Sequence, residues 1–274
     1  MNAPAVVICA STYWRNAWKY QSRAYRHCYW DAGTILANLL AAAAARKVAA
    51  RVVVGFVDAA VKQLLGLDTE REGALTLVPL GDVPAMEPGP PPEIEPLTLE
   101  TVPLSKREVD YPALQAMHQA SSLKSEEEGV IWSRQPSVVS YDDTEASTPR
   151  LTSEERLFPL RPLDDHEIPQ DTIEEVIRRR GSTRQFSHES ISFTQLSTML
   201  HRATRGIPAD FLHQAEVSLN DLYLIVHAVD DLPPGAYVFH RDRLALEQLK
   251  EGNFRREAGY LGLGQEIPAD ASVD

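Results

Sequence analysis

The feature that most constrains the fold of this 274-residue chain is a proline-rich stretch in its middle. Residues 84–103 contain seven of the 19 prolines, with acidic residues between them. Proline fixes φ and removes a backbone donor, so the stretch is expected to stay extended and solvated. The sequence stays mostly polar up to about residue 155, apart from a predicted amphipathic helix over 111–123. We therefore predict two structured parts, 1–83 and 156–274, and a proline-rich, acidic, mostly unstructured linker, 84–155.

The charge and the cysteine content exclude several classes of protein. The chain has 27 basic and 39 acidic residues, a formal net charge of −12, whereas nucleic-acid binding needs clustered lysine and arginine. Cys9 and Cys28 form no CxxC pair, which fits a reducing cytoplasm. No apolar run reaches the ~20 residues that span a bilayer, and no signal peptide is visible. We expect a soluble cytoplasmic protein that binds no nucleic acid and no membrane, and the scattered histidines predict no metal site.

Strands and helices alternate in both structured parts, and this pattern predicts an α+β or α/β domain with a mixed sheet flanked by helices. Predicted strands cover 5–10, 51–54, 74–80, 221–229 and 236–240. Predicted helices cover 32–47, 59–65, 172–180, 194–203, 245–249 and 253–261. Asp31, Asp58 and Asp171 are the expected N-caps of three of these helices.

Two short segments could carry chemistry. The first is Arg178-Arg179-Arg180-Gly181-Ser182-Thr183-Arg184, which follows a predicted helix. Its basic residues could simply favour a helix C-terminus with a glycine after it. Alternatively, Arg180, Ser182 and Arg184 point the same way in an extended segment and could bind a phosphate. The second segment is Val52–Phe56, where a strand ends at Gly55 and the backbone could approach a flat ligand closely.

Together these segments resemble motifs of the FMN-dependent nitroreductases. The segment 180–186 is similar to the N-terminal signature of that family, and Val53-Val54-Gly55-Phe56 is similar to a later segment. More narrowly, 23–26, 31–33 and 38–39, and also 222–226 and 232–237, resemble the SagB-type branch. That branch includes the dehydrogenases that oxidise peptide thiazolines and oxazolines to azoles.

The resemblance implies a fold, a cofactor and roles for particular residues. It implies a nitroreductase-like fold and FMN, with Arg180, Gly181, Ser182 and Arg184 at the ribityl phosphate. The backbone of Val53, Val54 and Gly55 would face the flavin, and Lys106 and Arg107 are the nearest candidates for a further phosphate-binding pair. Lys19 and Tyr20 resemble the catalytic pair proposed for azoline oxidases, although a solvated lysine beside a packed tyrosine is the simpler interpretation. The implied partners are a small-molecule or peptide substrate and a second copy of the chain.

One departure from the family concerns the order of the segments. Residues 1–83 resemble the C-terminal half of a nitroreductase domain, and residues 156–274 resemble the N-terminal half. The chain could be a circular permutant, could exchange halves in a dimer, or could be a piece of a tandem protein. The family's Pro-Ser stretch is also replaced, here by residues 213–217. The lost Pro-Ser stretch and the absence of the family's basic pair directly after Gly81 motivate a second hypothesis, a cofactor-free pseudoenzyme or a peptide- or partner-binding module on the same scaffold.

Overall fold

The computed structural model describes residues 3–68, 70–81, 93–134, 156–182, 186–187, 189–212 and 219–262. These residues form two compact units. Unit 1 comprises the described residues up to 134 together with 207–212, and unit 2 comprises the described residues of 156–206 and 219–262. Among the described residues, no helix is long and apolar enough to cross a membrane.

Unit 1 is built on a pair of antiparallel strands covered by helices. Its elements are β1 (Ala5–Thr12), α1 (Trp14–Tyr20), α2 (Ala24–Ala45), α3 (Asp58–Leu65), β2 (Glu72–Leu80), α4 (Pro112–Ser121) and α5 (Glu126–Arg134), with a short 3-10 turn at Gln21–Arg23. β1 pairs with β2 from Ala5 opposite Leu80 to Thr12 opposite Glu72, with a bulge between Cys9 and Ala10. The predicted strand 5–10 is confirmed, and it continues to Thr12.

Helix α2 begins earlier than the sequence predicted. Asp31 was expected to be its N-cap, but the helix begins at Ala24 and Asp31 lies inside it. Ala24, Cys28 and Ala32 lie four residues apart on one face and are buried together with Leu75, so burial of this face accounts for the additional turns. Asp31 instead accepts a hydrogen bond from Asn16 Nδ2 at 2.9 Å, which joins α1 to α2.

Two further expectations in unit 1 were wrong. Residues 51–54 form no regular strand, because only Val52 and Val53 pair, each in an isolated bridge. Asp58 is the first residue of α3 and not its N-cap, which is Val57. The Asp58 carboxylate instead accepts a hydrogen bond from Leu123 N at 2.7 Å.

The described part of the segment 84–155, residues 93–134, contains two helices. The helix predicted over 111–123 is confirmed as α4, and its Leu114 and His118 are buried in unit 1. Glu126–Glu128, interpreted from the sequence as a solvated run, form the first turn of α5. Ser125 Oγ accepts a hydrogen bond from Glu128 N at 3.3 Å, and Glu128 accepts one from Lys124 N at 2.7 Å. Such capping explains why an acidic run begins a helix here.

In unit 2, the main feature is a four-stranded antiparallel sheet that packs against a helix. Its elements are β3 (Leu157–Pro159), α6 (Ile173–Arg179), β4 (Ile191–Ser192), α7 (Phe193–Ala203), β5 (Tyr223–Val226), β6 (Val229–Asp230), β7 (Gly235–His240), β8 (Ala245–Glu251) and α8 (Arg255–Leu261). The main sheet has the order β3-β8-β7-β5, and β4 pairs with β6 in parallel. Capping boxes begin α6 at Thr172 and α7 at Ser192, so Thr172, not Asp171, is the N-cap of α6.

The region 245–249 was predicted to be helical and is a strand. Its residues pair with β7, from Ala245 opposite His240 to Glu251 opposite Gly235. The predicted α+β class is confirmed by the mixture of helices and sheets. The predicted reversal of the two halves remains a prediction.

Candidate active site

The Gly55 segment, which runs from Val52 to Gly55, lies between two other parts of unit 1. On one side, Val53 exchanges hydrogen bonds with Leu77 of β2, at 2.8 and 2.9 Å. On the other side, Val52 N donates to Pro208 O at 2.9 Å, and Asp210 N donates to Val52 O at 3.0 Å. Residues 207–212 thus lie parallel to the segment, 155 residues or more away in the sequence, and fix its backbone.

The next two backbone amides of this segment bind a carboxylate. Val54 N lies 3.0 and 3.1 Å from the two carboxylate oxygens of Asp210, and Gly55 N donates to Oδ2 at 2.8 Å. Hydrogen bonds of this kind, with an ionised acceptor, are stronger than neutral ones. We call Val54 N and Gly55 N the amide pair. Asp210 was not identified from the sequence, because a single aspartate after Pro208-Ala209 carries no local signal for so distant a partner.

The ring of Trp132 covers Gly55 from the side of α5. A Cβ atom at Gly55 would collide with this ring and would lie 3.2 Å from Asp210 Oδ2. Glycine is therefore required at position 55 by close packing, and its φ lies outside the left-handed region. Close approach of another group to the Gly55 backbone, which the sequence predicted, is thus found, but the approaching group is a side chain of the same unit.

A flavin edge does not fit the amide pair in this arrangement. The resemblance assigns the backbone of Val53, Val54 and Gly55 to the flavin. The Val53 amide is paired with Leu77, the amide pair is occupied by Asp210, and Trp132 lies against Gly55. A flat ligand would contact this backbone only if Asp210 and Trp132 moved away from it.

Lys19 and Tyr20 lie together at the exposed end of α1. Lys19 Nζ lies 5.1 Å from the centroid of the Tyr20 ring, and that ring stacks on His27 at 3.7 Å. The amine is exposed and Tyr20 is half-buried against the core. This geometry matches the simpler interpretation of a solvated lysine beside a packed tyrosine, and the catalytic role stays a prediction.

The predicted phosphate-binding residues are distributed over the two units. In unit 2, Arg180 follows α6 in an extended conformation, and Arg180, Gly181 and Ser182 are all exposed. Arg184 lies outside the described residues. In unit 1, Lys106 and Arg107 are exposed in a turn that Ser105 stabilises, with Ser105 Oγ donating to Arg107 O at 2.9 Å. An exposed group near the start of unit 2, Asp164, His166 and Glu167, could also hold a metal ion.

Three buried polar groups in unit 1 were also missed by sequence reasoning. Tyr13 Oη, Thr76 Oγ1 and His118 Nε2 are buried and have no hydrogen-bond partner among the described residues. Burial lowers the pKa of His118 to about 4 and raises that of Tyr13. The three residues come from the loop after β1, from β2 and from α4, so no motif in the sequence joins them.

The comparisons with known proteins agree with the fold. The model of the Nitroreductase family matches residues 1–82. This range includes the Gly55 segment, the strands β1 and β2, and the helices α1, α2 and α3. A crystal structure of a "putative nitroreductase" from Anabaena variabilis ATCC 29413 aligns with a TM-score of 0.64 and 23% identity. The alignment covers 97% of this chain and 53% of that one, so the chain spans about half the length of that protein. No curated protein matches the sequence.

These findings define a nitroreductase-like fold. Residues 1–82 contain a nitroreductase-family region, and the fold of the whole chain resembles that of a nitroreductase-type protein.

Proposed function

We propose that the chain forms part of a flavin-dependent oxidoreductase of the nitroreductase type, with FMN as its cofactor. The observation that carries the proposal is the family match over residues 1–82, which contains the Val53–Gly55 segment. The similarity of fold supports it independently. Proteins of one fold perform different chemistry, so the residues at the site decide whether the proposal holds.

The proposal assigns roles to the residues that the family resemblance singles out. Arg180, Ser182 and Arg184 would bind the phosphate of FMN by charge-assisted hydrogen bonds, and Lys106 and Arg107 would add positive charge. Lys19 and Tyr20 would take up the proton that the substrate loses. A peptide azoline that loses a proton and a hydride becomes an azole, and a bound flavin would supply the hydride-accepting chemistry. This is the substrate class that the SagB-type resemblance favours.

The experiment is a titration of the purified chain with FMN, in which the quenching of flavin fluorescence measures binding. Arg180→Ala with Arg184→Ala should abolish retention of FMN, because it removes both guanidinium groups. The control is Arg241→Ala with Arg243→Ala, which also removes two arginines, from a turn of unit 2. A chain that binds no FMN at all, or binding that the 180/184 pair does not change, would contradict the proposal.

A second function is favoured by the occupied amide pair. If Asp210 and Trp132 cover the Gly55 segment permanently, the chain is a cofactor-free binding module that recognises a peptide or a partner. In that case the 180/184 double variant leaves partner binding intact, and no variant retains FMN. An azoline-containing peptide that binds the chain while no variant retains FMN would support the binding module, and retention of FMN would reject it.

The assembly and the cellular location are proposals of the same kind. We propose a homodimer, completed by exchange of halves if the two parts of one chain do not complete each other, and a cytoplasmic location. Light scattering at several protein concentrations measures the first. A monomer that resists dilution and remains folded would eliminate the exchange.

A further inference from the structure

We infer that Asp210 is a built-in ligand of the amide pair, and that an external ligand with a hydrogen-bond-accepting edge binds there only after the Asp210 carboxylate leaves. The inference rests on the proposed function where that ligand is FMN. It adds a regulatory contact that closes the Gly55 segment in the free chain.

The first support is the geometry of the carboxylate. Two consecutive amides, Val54 N and Gly55 N, converge on Asp210 at 2.8 to 3.1 Å. Neighbouring backbone amides that point to one side form an anion-binding concavity. The two amides therefore form a site for a hydrogen-bond acceptor, and the Asp210 carboxylate already occupies it.

The second support is that the closing group belongs to a separate segment. Residues 207–212 come from beyond α7. Their other hydrogen bonds with this part of the chain are the two backbone bonds of Val52 and a bond from Arg51 Nη2 to Ala209 O at 3.3 Å. Ala209 also packs with Val52 in one apolar cluster. Asp210 is only half-buried, so water can solvate its carboxylate when it leaves. A rotation of this side chain would free the amide pair while the backbone pairing of Val52 persists.

The third support is the position of Trp132, whose ring lies against Gly55. Leu123, which precedes helix α5, makes two hydrogen bonds with Asp58. Asp58 N donates to Leu123 O at 3.0 Å, and Leu123 N donates to the Asp58 carboxylate at 2.7 Å. This anchor fixes the start of α5, while the Trp132 ring lies near its other end. Asp210 thus binds the amide pair, while the Trp132 ring lies against Gly55.

A purely structural role for Asp210 predicts the opposite effect on binding. If Asp210 only stabilises the segment, its removal should weaken any ligand site built on that segment. If Asp210 competes with the ligand, its removal should strengthen binding. The sign of the change in affinity therefore separates the two roles.

The test compares the FMN dissociation constants of the wild-type chain, Asp210→Ala, Asp210→Asn and Trp132→Ala. The control is Asp221→Asn, which removes one exposed carboxylate from unit 2. We expect Asp210→Ala and Asp210→Asn to bind FMN at least tenfold more tightly than the control, and Trp132→Ala to bind more tightly as well. The asparagine variant keeps the size of the side chain, so it remains informative if the alanine variant does not fold. Equal or weaker binding by both Asp210 variants would overturn the inference and leave the proposed function standing.

Acetate provides a probe that does not depend on flavin. It carries the same acceptor group as Asp210, so in Asp210→Ala it should shift the amide resonances of Val54 and Gly55 and should compete with FMN. In the wild-type chain and in Asp221→Asn the same acetate concentration should leave these resonances unchanged. Acetate shifts without any FMN binding would support the inference and reject the proposed function. The absence of acetate shifts in both Asp210 variants would overturn the inference.

Discussion

At the scale of single residues, His118 links burial to the dependence of stability on pH. Its side chain is buried in unit 1 beside the Tyr13 ring, and Tyr25 Oη lies 3.5 Å from its Nδ1. Burial, with a smaller effect of Lys62, lowers its pKa from 6.5 to about 4. As the pH falls from 6.5 towards 4, the unfolded chain binds a proton that the folded chain does not, so the free energy of unfolding falls by about 3 kcal/mol at most.

His118→Gln should remove this part of the pH dependence. We expect the free energy of unfolding of the variant, measured with urea at several pH values, to vary less between pH 6.5 and 4 than that of the wild-type chain. His166→Gln is the matched control, because His166 is exposed, and it should keep the wild-type slope. An unchanged slope in His118→Gln would show that His118 is not buried in its neutral form.

Gly73 gives a second prediction at the same scale. A Cβ atom there would collide with Tyr13 Oη and lie 3.0 and 3.1 Å from Cε1 and Nε2 of His118. Gly73→Ala should therefore lower the free energy of unfolding by ~1–3 kcal/mol, since both neighbours are held in a packed core. Gly33 lies in α2 with no atom near its Cβ position, so Gly33→Ala should raise the same free energy by up to ~1 kcal/mol. Urea unfolding measures both, and two changes of the same sign would contradict this account.

At the scale of elements, the sequence was informative where burial follows a local period. The strand β1, the helix α4 and the β5–β7 hairpin follow such periods and were predicted close to their observed bounds. Strand β8 was mistaken for a helix because Ala245-Leu246-Glu247-Gln248-Leu249 consists of helix-forming residues. Its pairing with β7 overrides this preference, since it buries Leu246 in the core of unit 2 and places Glu247 next to His240.

The pair that His240 forms with Glu247 predicts a large effect of mutation in β8. Both side chains are almost fully buried, and His240 Nε2 lies 2.7 Å from a carboxylate oxygen of Glu247. Glu247→Ala would leave the imidazole buried without this partner and should lower the free energy of unfolding by about 3 kcal/mol. Glu108→Ala removes a surface carboxylate that pairs with Arg71 and should have little effect. Chemical denaturation tests the pair, and equal effects of the two variants would contradict the burial argument.

At the scale of the whole molecule, the class of fold could be predicted but the closure of the Gly55 segment could not. Gly55 was identified from a strand that ends in glycine, and the family resemblance assigned it to a flavin. The residues that occupy its backbone and cover it, Asp210 and Trp132, are separated from it by 155 and 77 positions in the sequence. Tertiary contacts of such separation leave no periodic or local pattern. Only coordinates could show that a carboxylate already occupies the amide pair.

The position of residues 207–212 predicts how the chain responds to a cut. They belong to unit 1, although the chain between 135 and 206 separates them from the rest of that unit. If a protease site is inserted at residue 145, within the predicted linker, the two fragments should stay associated after cleavage. The association would use the backbone pairing of Val52 with Pro208 and Asp210 and the carboxylate on the amide pair.

Gel filtration of the cleaved chain measures this association. Both fragments should elute together, and Asp210→Ala should favour their separation on dilution, because it removes the hydrogen bonds between the carboxylate and the amide pair. Asp221→Asn, cleaved in the same way, should elute as the unsubstituted chain does. Complete separation of the unsubstituted fragments at micromolar concentration would mean that residues 207–212 do not hold to unit 1 on their own. In that case the closure of the Gly55 segment would depend on an intact chain.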